Sequence, residues 1–120
     1  MDVFEVRAAL DEEAGDDRSH RVVARGELDI DSAPLLAAEL DRLVQAGALL
    51  VVLDASEIDF VDSSGLRTIV MAGNALQEGG GRLLISGMSP AMASLLEVSG
   101  LIDRFRSDQD QVPDDGPATA

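Results

Sequence analysis

The run Asp62-Ser63-Ser64-Gly65-Leu66 sets a carboxylate and two hydroxyls side by side. Serine hydroxyls can serve as nucleophiles, as phosphoacceptors or as helix caps, and the flanking pattern narrows the choice. Upstream, Leu49-Leu50-Val51-Val52-Leu53-Asp54 leads through Ala55 to Phe60 and Val61. Downstream the period changes, and Leu66, Ile69, Val70, Gly73 and Leu76 recur at helical spacing. The two serines therefore stand where an extended segment becomes a helix N-terminus, a place where unpaired backbone N–H groups favour oxygen atoms.

Catalytic uses of these residues are poorly supplied. A nucleophile elbow needs Gly two positions before its serine, and Phe60-Val61-Asp62-Ser63-Ser64-Gly65 has none. The sole imidazole is His20, on an expected strand beside Arg21. Asp54, Asp59 and Asp62 gather carboxylates toward the C-terminal end of a strand, where α/β proteins often place sites, and such a set can hold Mg²⁺ and accept a phosphoryl group. That chemistry also calls for a cation, commonly Lys, and the chain has no Lys. The same absence removes the P-loop, while Gly79-Gly80-Gly81 follows a helix and reads as its stop. No enzyme, no metal site and no cofactor are expected.

A switch needs only an accessible hydroxyl, which Ser63 or Ser64 provides. Phosphorylation adds about −1.5 to −2 charges and three acceptor oxygens. The helix N-terminus attracts such an anion by roughly 0.3–1 kcal/mol when exposed, and the neighbouring Asp62 repels it by a similar amount. The fold is then nearly indifferent to the phosphate. A partner docked on the helix start is not, because it must desolvate a dianion.

The elements that position this stretch follow from the rest of the chain. At 120 residues, 46% hydrophobic, one domain with an aliphatic core is expected; only Phe4, Phe60 and Phe105 are aromatic. A net charge of −14, with all nine basic residues Arg, argues against nucleic acid and against an anionic membrane surface. Without Cys there is no disulfide or thiolate site. No leader or membrane span is visible, so a cytoplasmic protein is expected.

Val3, Phe4, Val6 and Ala8 suit a first strand, Asp11 to Asp17 an acidic turn, and His20 to Gly26 a second strand paired as a hairpin. Asp31-Ser32 offers a helix N-cap before Pro34, with Leu36, Leu40, Leu43 and Val44 along one face and Gly47 as a left-handed stop. The unpolarised run from Leu49 to Leu53 fits a central parallel strand. The second helix runs from about Ser64 to Glu78, Arg82 to Ser86 form a strand, and Ser89-Pro90 starts a third helix ending at Ser99-Gly100. Leu101 to Arg106 is expected as a short edge strand. The expected fold is α/β, a single domain over 1–106. It is a mixed sheet begun by a hairpin, with helices mainly on one face, in the order β-β-α-β-α-β-α-β. Residues 107–120, rich in Asp and Pro, read as a disordered acidic tail.

Gly26-Glu27-Leu28-Asp29, Val52-Leu53-Asp54, Phe60-Val61-Asp62-Ser63-Ser64-Gly65-Leu66 and Val98-Ser99-Gly100-Leu101 together resemble the STAS domain of bacterial anti-sigma factor antagonists. The resemblance spans about residues 1–106. It implies a protein that binds a serine-kinase anti-sigma factor and so frees a sigma factor. Phosphorylation by that kinase would release the antagonist, and a serine phosphatase would restore it. By position the phosphoacceptor is Ser63, with Ser64 as second choice. Asp29, Asp62, Ser63, Ser64, Gly65, Leu66 and Arg67 are the implied partner surface. Arg67 stands where close relatives often carry a small residue, and it is placed to pair with Asp62 or with phosphoserine. The alternative is a STAS scaffold or binding module of another signalling or transport complex, without a phosphoswitch.

Overall fold

Residues 4–10 and 18–106 are described by the computed structural model. Their order is β1 (Glu5–Leu10), β2 (Ser19–Leu28), α1 (Ala33–Gln45), β3 (Leu50–Val61), α2 (Ser63–Glu78), β4 (Arg82–Ser86), α3 (Pro90–Ser99) and α4 (Ile102–Phe105). One sheet runs β1-β2-β3-β4, antiparallel between β1 and β2 and parallel elsewhere. Val3, the acidic turn at 11–17 and the expected tail at 107–120 lie outside the described residues.

The apolar run in β3 behaves as a central strand should. Val51, Leu53 and Ala55 are fully buried on one side, and Val52 is nearly so on the other. Beyond Asp54 the alternation breaks for a structural reason. Val23 pairs with Asp54 but Arg25 with Glu57, and Gly26 pairs with Ile58 but Glu27 with Phe60. β3 thus carries two more residues than the stretch of β2 opposite, each a bulge that adds twist. Its buried positions become Ala55, Ile58 and Val61, three apart. The double shift ends with Leu28 abreast of Val61, so the two strand ends come level beneath the site.

Successive parallel crossovers in one direction place α1 and α2 on the same face of the sheet. Leu36, Leu40 and Leu43 of α1, Ile69 and Leu76 of α2, and Met92 and Leu96 of α3 join the strands in one continuous aliphatic core. The opposite face is polar: Arg25 pairs with Glu57 at 2.6 Å and Glu5 at 3.8 Å, and Arg21 Nη1 donates to Ser86 Oγ at 3.4 Å. Ser89 caps α3 as expected, its hydroxyl accepting from Met92 N–H at 3.2 Å.

The expected final strand is corrected. Gly100 takes the left-handed conformation that ends α3 (φ 78°), and Leu101 N–H returns to Leu96 O at 2.9 Å. The chain then turns into α4, and a single bridge, Ile85 with Arg106, is all the sheet pairing it makes among the described residues. Packing explains the choice. Phe105 is 1% exposed and lies over Gly73 of α2, where an added Cβ would sit 3.0 Å from its ring. Arg104 seals the contact, donating to Asn74 Oδ1 at 2.6 Å with its guanidinium 5.0 Å from the Phe105 ring centre.

Candidate functional site

The level ends of β2 and β3 each release the chain into an aspartate turn. Asp62 N–H donates to Leu28 O at 3.2 Å, which ties the two turns together and brings Asp29 beside the 62–67 segment.

Asp62 is the N-cap of α2, in extended conformation. Its Oδ1 accepts from Ser64 N–H at 2.9 Å and Gly65 N–H at 3.2 Å, and its carbonyl accepts from Leu66 N–H at 3.0 Å. The first-turn donors of the helix are therefore largely taken by one residue. Gly65 is buried, and a Cβ there would lie 2.5 Å from Leu28 Cγ and 3.0 Å from Val61 Cγ2. Its place in the motif is steric, since only a glycine lets the helix start rest on the two strand ends.

That arrangement sorts the two hydroxyls. Ser63, the first helical residue, is exposed, and its hydroxyl has no hydrogen-bond partner among the described residues. Ser64 is half-buried, and its carbonyl accepts from Thr68 Oγ1 at 3.2 Å. Leu66 is half-buried against the core, and Arg67 is exposed. The anticipated Arg67–Asp62 pair is not formed: the ion pairs among the described residues join Arg25 to Glu5 and Glu57, and Arg42 to Glu39.

The neighbouring turn departs from expectation. Ser32 occupies the N-cap position of α1, but its side chain caps nothing. Its hydroxyl donates to Glu27 O at 2.6 Å and accepts from Asp29 N–H at 2.9 Å. The capping-type bonds come from Asp29, whose Oδ1 accepts from Asp31 N–H and Ser32 N–H, both at 3.0 Å. The Ser32 amide bond, aided by that from Asp31, holds the Asp29 carboxyl below its ordinary range against the opposing effect of desolvation.

Two apolar side chains outside the implied partner surface flank these turns. Ile30, between Asp29 and Asp31, is 71% exposed, and Phe60, on β3 opposite Glu27, is 48% exposed. An isoleucine enclosed by two acidic residues was the available signal. The carboxylate set Asp54, Asp59 and Asp62 does not converge. Asp54 Oδ1 accepts from Ser56 N–H at 3.0 Å and Ser56 Oγ at 2.8 Å, and no group of three ligating side chains forms among the described residues. His20 pairs across from Leu10 and Val51 near the start of β2, with Leu28 eight positions further along the strand, roughly 25 Å away. A groove between β1 and α1, lined by Phe4, Val6, Leu35 and Arg42 among others, shares no residue with the 62–67 segment. Among the described residues no helix is long and apolar enough to cross a membrane.

Comparison with known proteins matches residues 12–106 to the family model described as Mlab, STAS domain. BtrV of Bordetella bronchiseptica is 31% identical over 81 residues, covering 68% of this chain and 70% of that protein. The anti-sigma-B factor antagonist of Staphylococcus aureus is 31% identical over 87 residues, covering 72% of this chain and 81% of its own. Among solved structures, the anti-sigma factor antagonist SpoIIAA in its unphosphorylated form superposes with a TM-score of 0.73 at 19% identity, over 86% of each chain. The phosphorylated form of the Bacillus protein gives 0.69 at 20% identity, over 86% of this chain and 89% of its own. At that identity the two structures speak for the fold.

Proposed function

We propose, from the premise that this chain belongs to the STAS domain family, that it is an anti-sigma factor antagonist switched by phosphorylation of Ser63. The unphosphorylated form binds a serine-kinase anti-sigma factor and so releases the sigma factor. The kinase transfers the γ-phosphoryl of ATP to Ser63 Oγ, and the product no longer binds. A serine phosphatase returns the hydroxyl. The chain acts by binding and carries out no catalysis of its own.

One observation carries the reading. Ser63 offers an exposed, unbonded hydroxyl at the first position of a helix whose cap is made entirely by the residue before it. Its modification therefore breaks no bond of the fold. Ser64 is half-buried, which supports Ser63 over its neighbour. On the two turns and the strand ends that carry them, Ile30 and Phe60 are exposed apolar side chains, and Asp29 and Asp62 are their polar neighbours in sequence. This is the composition of a small protein interface with central anchors. A dianion at its centre would have to lose its water without a prepared arginine cluster on the partner, which expels it.

The test pairs the protein with the anti-sigma kinase of its own organism and ATP, followed by mass-spectrometric mapping. Phosphate is expected on Ser63, with Ser63→Ala refusing it. Ser63→Asp should weaken binding by tenfold or more, about 1.4 kcal/mol, while Ser63→Ala binds like the wild type. Phosphate confined to other residues would overturn the assignment. Equal binding by the Ala and Asp variants would favour a STAS scaffold without a phosphoswitch.

A further inference from the structure

The geometry points to a second component of this switch: Arg67 is an intramolecular ligand for a phosphate on Ser63. The inference rests on the phosphoswitch reading above and adds a regulator inside the chain. A phosphate on Ser63 would reach for the helix N-terminus, but most of the donors there are occupied, and of the first four amides only that of Ser63 makes no bond among the described residues. Ser64 and Gly65 N–H groups already bond the Asp62 carboxylate, and Leu66 N–H bonds the Asp62 carbonyl. The anion therefore meets a helix start whose positive end is largely used, beside the very carboxylate that uses it. It needs a cation from elsewhere.

Ser63 and Arg67 are four residues apart on α2 and both are exposed. At that spacing side chains lie on the same face, with Cβ atoms about 5–6 Å apart. Long helical side chains lean toward the helix N-terminus, so the guanidinium of Arg67 is directed over the turn that holds Ser63. Arg67 is also uncommitted, while Arg25, Arg42 and Arg104 are spent on Glu57, Glu39 and Asn74. The guanidinium fork suits a phosphate better than an ammonium group would. Asp62, next in sequence, opposes it, and Asp29 adds negative charge on the turn tied in through Leu28. Arg67 binding lowers the proton affinity of the phosphoserine and reduces the negative charge presented to a partner.

The experiment places phosphoserine at position 63 during translation, so that no kinase is needed, and follows the ³¹P shift against pH. The second phosphate pKa, ordinarily near 6, is expected lower in the wild type than in Arg67→Gln, by about two- to fivefold in proton affinity. The difference should shrink in high salt. Arg67→Lys should recover part of it, and Arg67→Glu should push the pKa above that of Arg67→Gln. Arg82→Gln, which removes one charge beyond the far end of the sixteen-residue α2, controls for net charge. Identical titrations of wild type and Arg67→Gln, or an equal shift with Arg82→Gln, would overturn the inference. Neither result touches the kinase test, so the two readings fail separately.

Discussion

Asp29-Ile30-Asp31-Ser32 and Asp62-Ser63-Ser64-Gly65 are the same backbone device used twice. In each, an aspartate at the end of a parallel strand accepts through Oδ1 from the amides two and three residues on. The two turns are tied by Asp62 N–H to Leu28 O. They differ in what the device presents. The first closes on itself: Ser32 is 8% exposed with its hydroxyl bonded to Glu27 and Asp29, and the outward residue is the apolar Ile30. The second leaves its hydroxyl outside, on Ser63, and buries a glycine instead. A serine in an aspartate turn is thus structural or available according to which position of the turn it holds.

The largest test of this contrast is Gly65→Val. Helix propensity alone forgives the change, yet the branched side chain must enter space already held by Leu28 and Val61. A loss of about 2–3 kcal/mol in urea unfolding is expected. A neutral result would mean that the helix start does not rest on the strand ends. Next comes Ser32→Ala, which strands Glu27 O and Asp29 N–H in a half-buried turn. About 1–2 kcal/mol should be lost. Asp62→Ala removes the cap of α2 and should cost about 1 kcal/mol by thermal melting. Ser63→Ala, at the matched hydroxyl, should stay within about 0.5 kcal/mol, because no bond is removed. If the two serine variants were equally destabilising, the distinction between a committed and a free hydroxyl would be wrong.

The smallest effect concerns pH. The Asp29 carboxyl is held below its ordinary value by amide bonds made in the folded state. A depressed carboxylate stabilises the fold above its unfolded pKa, near 3.9, and that contribution disappears as pH falls through the lower folded value. Acid titration of stability in the wild type should therefore show a steeper decline below about pH 4 than Asp29→Asn does. Parallel curves would place the network's strength elsewhere.

Much of this molecule is legible in the amino-acid sequence because the signals are local. The helical spacing from Leu66 to Leu76, the proline-marked helix starts, the apolar run of β3 and the junction at Asp62 all follow from periodicity and capping chemistry. The availability of two hydroxyls there follows as well. The misreadings share another cause. Ser32 matches the residue preference of an N-cap, but its hydroxyl is turned back to Glu27 O and Asp29 N–H and reaches no first-turn amide of α1. Leu101 to Arg106 suits a strand until Phe105 finds the space above Gly73. The spacing of Ile102 and Phe105, three apart, was the only local hint of that turn. The bulges of β3 leave no mark that alternation can read, because they answer to β2 across the sheet.

By itself the sequence determined that two serines and an aspartate open a helix at a strand's end in an acidic, lysine-free domain. Only the tertiary structure decided which hydroxyl faces outward and why Gly65 must be a glycine. It also brought Asp29 beside the 62–67 segment and left Arg67 without a carboxylate partner among the described residues. The glycine requirement and the approach of Asp29 depend on the level ends of β2 and β3, a register set by contacts between residues some thirty positions apart.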